Sequence, residues 1–404
     1  MSINILHTAD LHLGSRMRSL GRAAPDFQEA LIQSFDNLLQ QAEKREIDLF
    51  LIAGDFLEMT EIEDRELNRI CDLLARERSF PVLIVAGNHD PYSSASPYAT
   101  IFPEIPRLYV FPAGEIVRLD FPKLDTSVWG VSFSTLYQKT TLLPIPGTET
   151  TVLTYDGNDF LNKTKQADSL LSNKIGLIHG EYISGRNVAS AYNPLASQEI
   201  IESGLDYLAL GHTHKPSAIP ASNQIDRHST LALYPGSPQG LSFNEAGIRH
   251  ALLVELNNSE VLGVLPLLSA SRLFVELDIE LEGSESDQEI IDLILAKAKN
   301  VDSDNYKRYF YKIRLKGEAP TALNVKRLAA SLRGKIVHVS LLDELRLAEN
   351  INELAEEQTL RGLYVRKIQK ALEENKSLAE KIDLQQALRL GLSAFRGEEL
   401  EDVY

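Results

Sequence analysis

Five short stretches of the chain end in side chains that bind metal ions and phosphates. They are HTADLH with Asp10 and His12, LIAGD with Asp55, VAGNHD with Asn88, His89 and Asp90, LIHGE with His179, and LGHTH with His212 and His214. Five of the nine histidines are among these named side chains. Each stretch alone has an ordinary reading, because Gly-Asp and Gly-Asn are turn chemistry and a histidine after an apolar run is commonly a hydrogen-bonded turn residue. Together they would crowd many costly polar groups into one place without a role. A pair of divalent ions roughly 3.5–4 Å apart needs about three or four protein ligands each, a carboxylate to bridge them, and open positions for water and substrate. The set supplies that number. Asp10 and Asp55 do not cancel the charge of two such ions, and neutral imidazoles and an amide leave the surplus intact, so the centre would attract a phosphate. His212 and His214 lie two apart on a strand-like end and share a face, so each can reach one of two adjacent ions, while Gly211 lets the backbone approach closely.

The elements that must position these residues follow from periodicity. The apolar runs NILHT, LFLIA, PVLIV, IGLI and YLAL before the five clusters read as strands, and FQEALIQSFDNLLQQAEKR and RELNRICDLLARER between them read as amphipathic helices. This is an α/β layout, in which ligands belong outside the carboxyl ends of strands, and the clusters are expected to converge on one edge of a sheet. Residues 136–172 are polar and turn-rich with little period, and are expected to form a long surface loop near the site, as a solvated insertion or a lid. A length of 404 residues with 44% hydrophobic and 24% charged residues fits two or three soluble domains. Cys71 is the only cysteine, which excludes an intrachain disulfide and a thiolate zinc cluster and leaves nitrogen and oxygen as ligands. A net charge of −16 argues against a generally basic, nucleic-acid-coating surface and leaves room for one local cationic site. No apolar run is long enough to span a membrane and the start lacks the pattern of a signal peptide, so a cytoplasmic protein without membrane contact is expected.

The order D-x-H, G-D, G-N-H-D, a lone histidine before glycine, and G-H-T-H resembles the calcineurin-like metallophosphoesterase superfamily. More narrowly, ILHTADLHLG, LIVAGNHDP, GLDYLALGHTHKP and YPGSPQGLSFNEAG resemble its SbcD and YhaO branch of DNA-repair nucleases, over about residues 1–255. The resemblance implies an α/β fold, a β-sandwich of two mixed sheets flanked by helices. It implies one metal held by Asp10, His12, Asp55 and His214 and another by Asp55, Asn88, His179 and His212, with Asp55 as the bridge and Mn2+ as the ion. His89 would be the catalytic histidine, stabilising the phosphorane or protonating the leaving oxygen, and Asp90 would orient it. The family commonly has His or Asp three residues after the bridging Asp. This chain has Glu58 there, a longer side chain that could also orient His89. Ser237, in the Pro- and Gly-rich turn YPGSPQGLSF, would meet a substrate phosphate.

Three domains are expected: 1–270 as the phosphoesterase, 271–345 as a small α+β capping domain, and 346–404 as a helical partner-binding segment. VELDIELEG alternates as a half-buried strand, SDQEIIDLILAKAKN reads as a capped helix, YKRYFYKIRLKG as a second strand, TALNVKRLAASLRG as a second helix and KIVHVSLLDEL as a third strand. Lys312, Arg314 and Lys316 alternate onto one face, as a DNA-backbone contact or a solvated outer face. Leu360, Tyr364, Ile368, Leu372, Leu378, Ile382, Leu388, Leu392 and Phe395 form apolar stripes, explained by core packing or by a partner. The resemblance offers as that partner the coiled-coil base of an SMC-like ABC ATPase of the SbcC or YhaN type, and a second copy of the chain is also to be considered. The function expected is a metal-dependent phosphodiesterase acting at DNA ends in repair. The alternatives are a phosphatase or phosphodiesterase for a small nucleotide or phospholipid precursor, and a degenerate scaffold that has lost catalysis.

Overall fold

The structure, a computed structural model, describes residues 2–166, 170–184, 192–219, 230–319, 323–347, 351–374 and 377–395. The chain divides into two compact units, Met1–Leu241 with Gly247–Ser271, and Ser242–Ala246 with Arg272–Tyr404.

The strands of the first unit are β1 (Ile3–Thr8), β2 (Leu49–Ala53), β3 (Val82–Val85), β4 (Leu108–Val110), β5 (Val117–Phe121), β6 (Thr126–Gly130), β7 (Thr150–Tyr155) and β8 (Phe160–Gln166). They continue with β9 (Asn173–His179), β10 (Glu181–Ile183), β11 (Pro194–Ala196), β12 (Tyr207–Gly211), β13 (Ser217–Ala218), β14 (Leu231–Tyr234), β15 (His250–Asn257) and β16 (Glu260–Leu268). One mixed sheet runs β16-β15-β1-β2-β3-β4 and the other β13-β14-β12-β9-β6-β5-β7-β8. Their inner faces share one core, to which Ile5, Leu51 and Leu83 contribute from the first sheet and Leu119, Val128, Ile175 and Tyr207 from the second. β2 and β3 are buried on both faces, which is why their sequences LFLIA and VLIV are unbroken apolar runs rather than alternations. Helix α1 (Ala24–Lys44) begins with Pro25 and buries Phe27, Leu31, Phe35, Leu38 and Ala42, one stripe at helical spacing. At the start of α2 (Asp64–Leu74), the Glu66 carboxylate accepts the Glu63 N–H at 3.2 Å.

Residues 136–172 are not one loop. Thr150–Tyr155 and Phe160–Gln166 form a hairpin that extends the second sheet, β7 pairing parallel with β5. Short threonine-rich alternation concealed it: Thr150, Thr151 and Val152 are all buried, so polar and apolar side chains share the inside.

In the second unit β17 (Phe274–Glu282), α5 (Asp287–Val301), β18 (Phe310–Ala319), α6 (Val325–Leu332) and β19 (His338–Asp343) alternate. The three strands are parallel, so both helices are crossovers and the small unit is of the α/β kind rather than α+β. Ser286 and Glu289 form the capping box that starts α5. After a short strand, Arg346–Leu347, come α7 (Ile351–Glu356), α8 (Leu360–Glu374) and α9 (Leu378–Phe395). Leu354, Val365, Leu388 and Leu392 make a core of their own with Tyr364 and Ile368 around it. Part of the expected apolar stripe is therefore spent within the chain, while Leu360 is 72% exposed. The side chains of Leu378 and Ile382 lie outside the described residues. Among the described residues no helix is long and apolar enough to cross a membrane.

Candidate metal centre

Each strand end delivers its cluster to one place, but from two sheets. Asp10 and His12 follow β1, Asp55 follows β2 and Asn88 follows β3, all in the six-stranded sheet, whereas His179 ends β9 and His212 and His214 follow β12, in the other. The expected single sheet edge is thus a seam between two sheets. Within the six-stranded sheet the loops after β1 and β2 are tied by main chain: Asp10 N–H donates to the Gly54 carbonyl (3.1 Å) and His12 N–H to that of Asp55 (2.9 Å). From the opposite sheet, His212 N–H donates to the Asp10 carboxylate at 2.9 Å. Asp10, His12, Asp55 and His212 all have positive φ, at 53°, 47°, 48° and 105°. Non-glycine residues hold such conformations at a cost of about 1–3 kcal/mol each, and only where the surroundings over-determine them. Gly211 is required for close approach, since a Cβ there would lie 1.8 Å from the Ala53 carbonyl oxygen. Gly54 has φ +89°, and a Cβ on it would meet His179 Nδ1 at 2.3 Å.

Three groups of donor atoms lie within 4.8 Å of one another: Asp10, His12 and His214; Asp55, His179 and His212; and His12, Asp55 and His89. The first two are the ligand groups that the sequence pattern leads one to expect. His12 Nε2 and His214 Nε2 are 3.3 Å apart. Asn88 Oδ1 stands 3.1 Å from His179 Nε2 and 3.3 Å from His212 Nδ1. Asp55 Oδ2 joins the groups, 3.8 Å from His12 Nε2 and 3.4 Å from His179 Nε2. His179 Nδ1–H donates to the Ala53 carbonyl at 2.9 Å, so its Nε2 lone pair is turned toward Asp55 and Asn88, as a metal-ligating imidazole requires. The donor set fits divalent ions: nitrogen and oxygen only, with Asp10, Asp55 and His179 buried to 1% exposure or less. Electrostatics agree. Burial alone would raise the Asp55 carboxyl, yet the neighbouring imidazoles, His179 foremost, hold it well below the usual carboxylate range. Burial would likewise lower His179, but Asp55 and Asp10 push it up to about 9. A metal ion binding at Nε2 would compete with a proton for that nitrogen.

Glu58, rather than Asp90, holds His89. Glu58 Oε2 accepts His89 Nδ1–H at 2.8 Å and His12 Nδ1–H at 3.3 Å, so one carboxylate oxygen serves two imidazoles. Despite a burial that would raise it, these two bonds bring Glu58 down to about 2. The expectation that Asp90 orients His89 is corrected. Asp90 is fully buried and its carboxylate accepts Gly87 N–H (2.6 Å), Phe56 N–H (2.7 Å), Leu57 N–H (3.0 Å) and the Tyr98 hydroxyl. It braces the loop of Asp55 against that of Asn88. Burial, with Asp55 nearby, pushes its carboxyl up to about 6.

Four further residues were expected to meet DNA or its phosphates. Ser237 is buried, and its N–H donates to the His214 carbonyl at 3.3 Å, where Arg249 Nη1 also donates at 2.9 Å, so the YPGSPQG turn supports His214. Lys312, Arg314 and Lys316 form a ladder with the adjacent strand: Lys312–Glu276 at 3.2 Å, Arg314–Glu276 at 3.0 Å, Arg314–Asp278 at 2.7 Å and Lys316–Asp278 at 2.7 Å. Missed in the sequence were Arg18 and Arg22, exposed in the 3-10 segment Arg18–Ala23 soon after His12, neither of which forms an ion pair among the described residues. Tyr192, whose ring lies against His212, was missed too, for no motif or period marks it.

The sequence model of the calcineurin-like phosphoesterase family matches residues 3–216, which include Asp10, His12, Asp55, Glu58, Asn88, His89, Asp90, His179, His212 and His214. The chain is 25% identical over 272 residues to the uncharacterized metallophosphoesterase YhaO of Bacillus subtilis, covering 64% of this chain and 59% of that protein. It is 25% identical over 272 residues to a subunit of the SbcCD nuclease of Bacillus subtilis, covering 62% and 66%. To the DNA double-strand break repair protein Mre11 of Methanosarcina acetivorans it is 23% identical over 356 residues, covering 87% and 52%. The matches to the two Bacillus proteins thus span about three fifths to two thirds of their length.

Proposed function

The chain belongs to the calcineurin-like phosphoesterase family, and on that premise we propose that it is a metal-dependent phosphodiesterase hydrolysing DNA phosphodiester bonds at DNA ends, in the cytoplasm, in repair. The observation that carries this reading is the pair of ligand groups joined through Asp55, with His89 beside them on the arm of Glu58. We assign Asp10, His12, Asp55 and His214 to one ion and Asp55, Asn88, His179 and His212 to the other, with Mn2+ as the expected metal. Ions in such a pair supply Lewis acidity toward the phosphate and acidify water. The protein's own part is orientation. Glu58 fixes His89 through Nδ1, which leaves Nε2 free to donate to a phosphoryl or leaving oxygen. The N–H of His89 donates to Asp55 Oδ1 at 2.9 Å, so the candidate acid and the candidate bridge are set by one short loop.

DNA as substrate is supported by the relatives named as part of a nuclease and as double-strand break repair proteins, and by a second unit that a small substrate does not require. Residues 271–345 are assigned as a capping domain and 346–404 as the segment docking on the coiled coil of an SMC-like ABC ATPase. Contact of Lys312, Arg314 and Lys316 with DNA would have to displace Glu276 and Asp278. Arg18 and Arg22 are the better candidates for backbone phosphates, being exposed, uncompensated and close in sequence to His12. Linear duplex, single-stranded and small diester substrates, each with Mn2+, with Mg2+ and with chelator, test the proposal. Metal-dependent release of nucleotides from DNA is expected. Turnover of small diesters alone would replace DNA with a small substrate, and no metal-dependent turnover at all would favour a degenerate scaffold.

A further inference from the structure

A pair of tyrosines leads from the candidate centre to the surface. The Tyr192 ring lies over His212 with centroids 4.7 Å apart and 31° between planes. Tyr137 follows at 6.0 Å and 39°. Tyr137 is 59% exposed, so burial of its ring contributes little to folding. Its segment is nevertheless held in place. Gln138 and Tyr192 form a parallel bridge, and the Tyr192 carbonyl accepts Glu181 N–H at 2.8 Å. Asn193, fully buried at φ 48°, donates from Nδ2 to the His179 carbonyl at 2.8 Å and accepts Leu142 N–H at 2.6 Å. The irregular chain around 137–142 is thereby fixed to the strand end that carries His179.

Phosphodiester chemistry asks nothing of these two rings. An exposed aromatic ring set at a tilt against a second one beside a candidate phosphate site suits a flat heterocycle, because every base has a face that stacks on tyrosine regardless of sequence. We propose that Tyr137 and Tyr192 form a stacking platform for a nucleobase belonging to the nucleotide next to the phosphate at the centre. The inference rests on the proposed phosphodiesterase reading for the phosphate and adds the base. A base inside a duplex has both faces covered and cannot lie on this platform without leaving its stack, so single-stranded or frayed ends are the preferred DNA substrates.

Two matched ligand pairs test it by equilibrium binding to the full chain, independently of turnover. One is a single-stranded oligodeoxynucleotide against the same strand with abasic terminal residues. The other is deoxyadenosine 5′-monophosphate against 2-deoxyribose 5-phosphate. The wild type should favour the base-bearing member by about 5- to 100-fold, Tyr137→Ala should remove most of that preference, and Tyr137→Phe should keep it. Preference in the oligonucleotide pair supports the platform on DNA, and if such DNA is bound but never cleaved, the nuclease reading fails while the platform stands. Preference in the mononucleotide pair alone supports the platform and moves the substrate to a free nucleotide. No preference in either pair overturns the platform. So does Tyr137→Ala weakening base-bearing and abasic ligands alike, the mark of a merely structural ring.

Discussion

Asp55 is the side chain on which the two ligand groups depend together, because its Oδ2 lies between His12 and His179 while its Oδ1 takes the His89 N–H. Asp55→Ala is expected to remove bound metal and activity together, which mass spectrometry of metal content and a turnover assay would read; a variant holding two ions with normal turnover would refute the dinuclear assignment. His89 and Asp90 are neighbours with opposite duties. His89→Gln should lower turnover by roughly 10²–10⁴ with metal content unchanged, since the imidazole is assigned to the transition state and not to an ion. Asp90→Asn should instead lower the unfolding free energy by about 1–3 kcal/mol, because an amide cannot accept every donor now met by the carboxylate. A normal melting temperature with impaired turnover would show that Asp90 acts on catalysis after all. The candidate ligands were legible in sequence because each closes an apolar run. The partner of His89 was legible only as two candidates, Asp90 and Glu58, and the fold decides between them: main-chain donors at Phe56, Leu57 and Gly87 engage Asp90, while Glu58 meets both imidazoles.

Strand alternation placed Lys312, Arg314 and Lys316 on one face, but it could not say what lies beside them. The parallel register answers with Glu276 opposite Lys312, Asp278 opposite Arg314 and Glu280 opposite Lys316, so each cation has an acid as its neighbour. Periodicity sees one strand at a time, and compensation is a property of two. Replacing Lys312, Arg314 and Lys316 with glutamine should therefore leave the slope of log K against log salt for DNA binding almost unchanged, whereas Arg18→Gln with Arg22→Gln should flatten it by about two phosphate contacts' worth. A flatter slope from the first set and none from the second would return the DNA contact to β18. The hairpin β7–β8 escaped notice for a related reason. Its threonines satisfy both a polar and a buried reading, and only pairing with β5 decides between them.

Across the molecule, a histidine buried within the sandwich makes stability depend on acidity. His7 Nδ1 and the Tyr207 hydroxyl meet at 2.7 Å between β1 and β12, with both residues fully buried. Burial holds His7 down to about 3, against 6.5 in an open chain. The unfolded state binds the extra proton between those values, so stability falls as pH drops from about 6.5 toward 3. Urea unfolding measured over that range should show a shallower acid decline for His7→Asn than for the wild type, by up to one proton; parallel declines would mean that His7 is not the group responsible. The two-sheet origin of the metal ligands reaches further. Asp10, His12, Asp55 and Asn88 come from one sheet and His179, His212 and His214 from the other, and they are spread over two hundred residues of chain. A fragment that folds the six-stranded sheet alone has only the cluster of His12, Asp55 and His89, and neither assigned ligand group is complete in it, since Asp10 and His12 wait for His214, and Asp55 waits for His179 and His212. Ion capture by the assigned groups would therefore be a late event in the life of the polypeptide, a clasp closing only after both halves of the sandwich have met, and chelation should loosen that meeting before it disturbs either sheet.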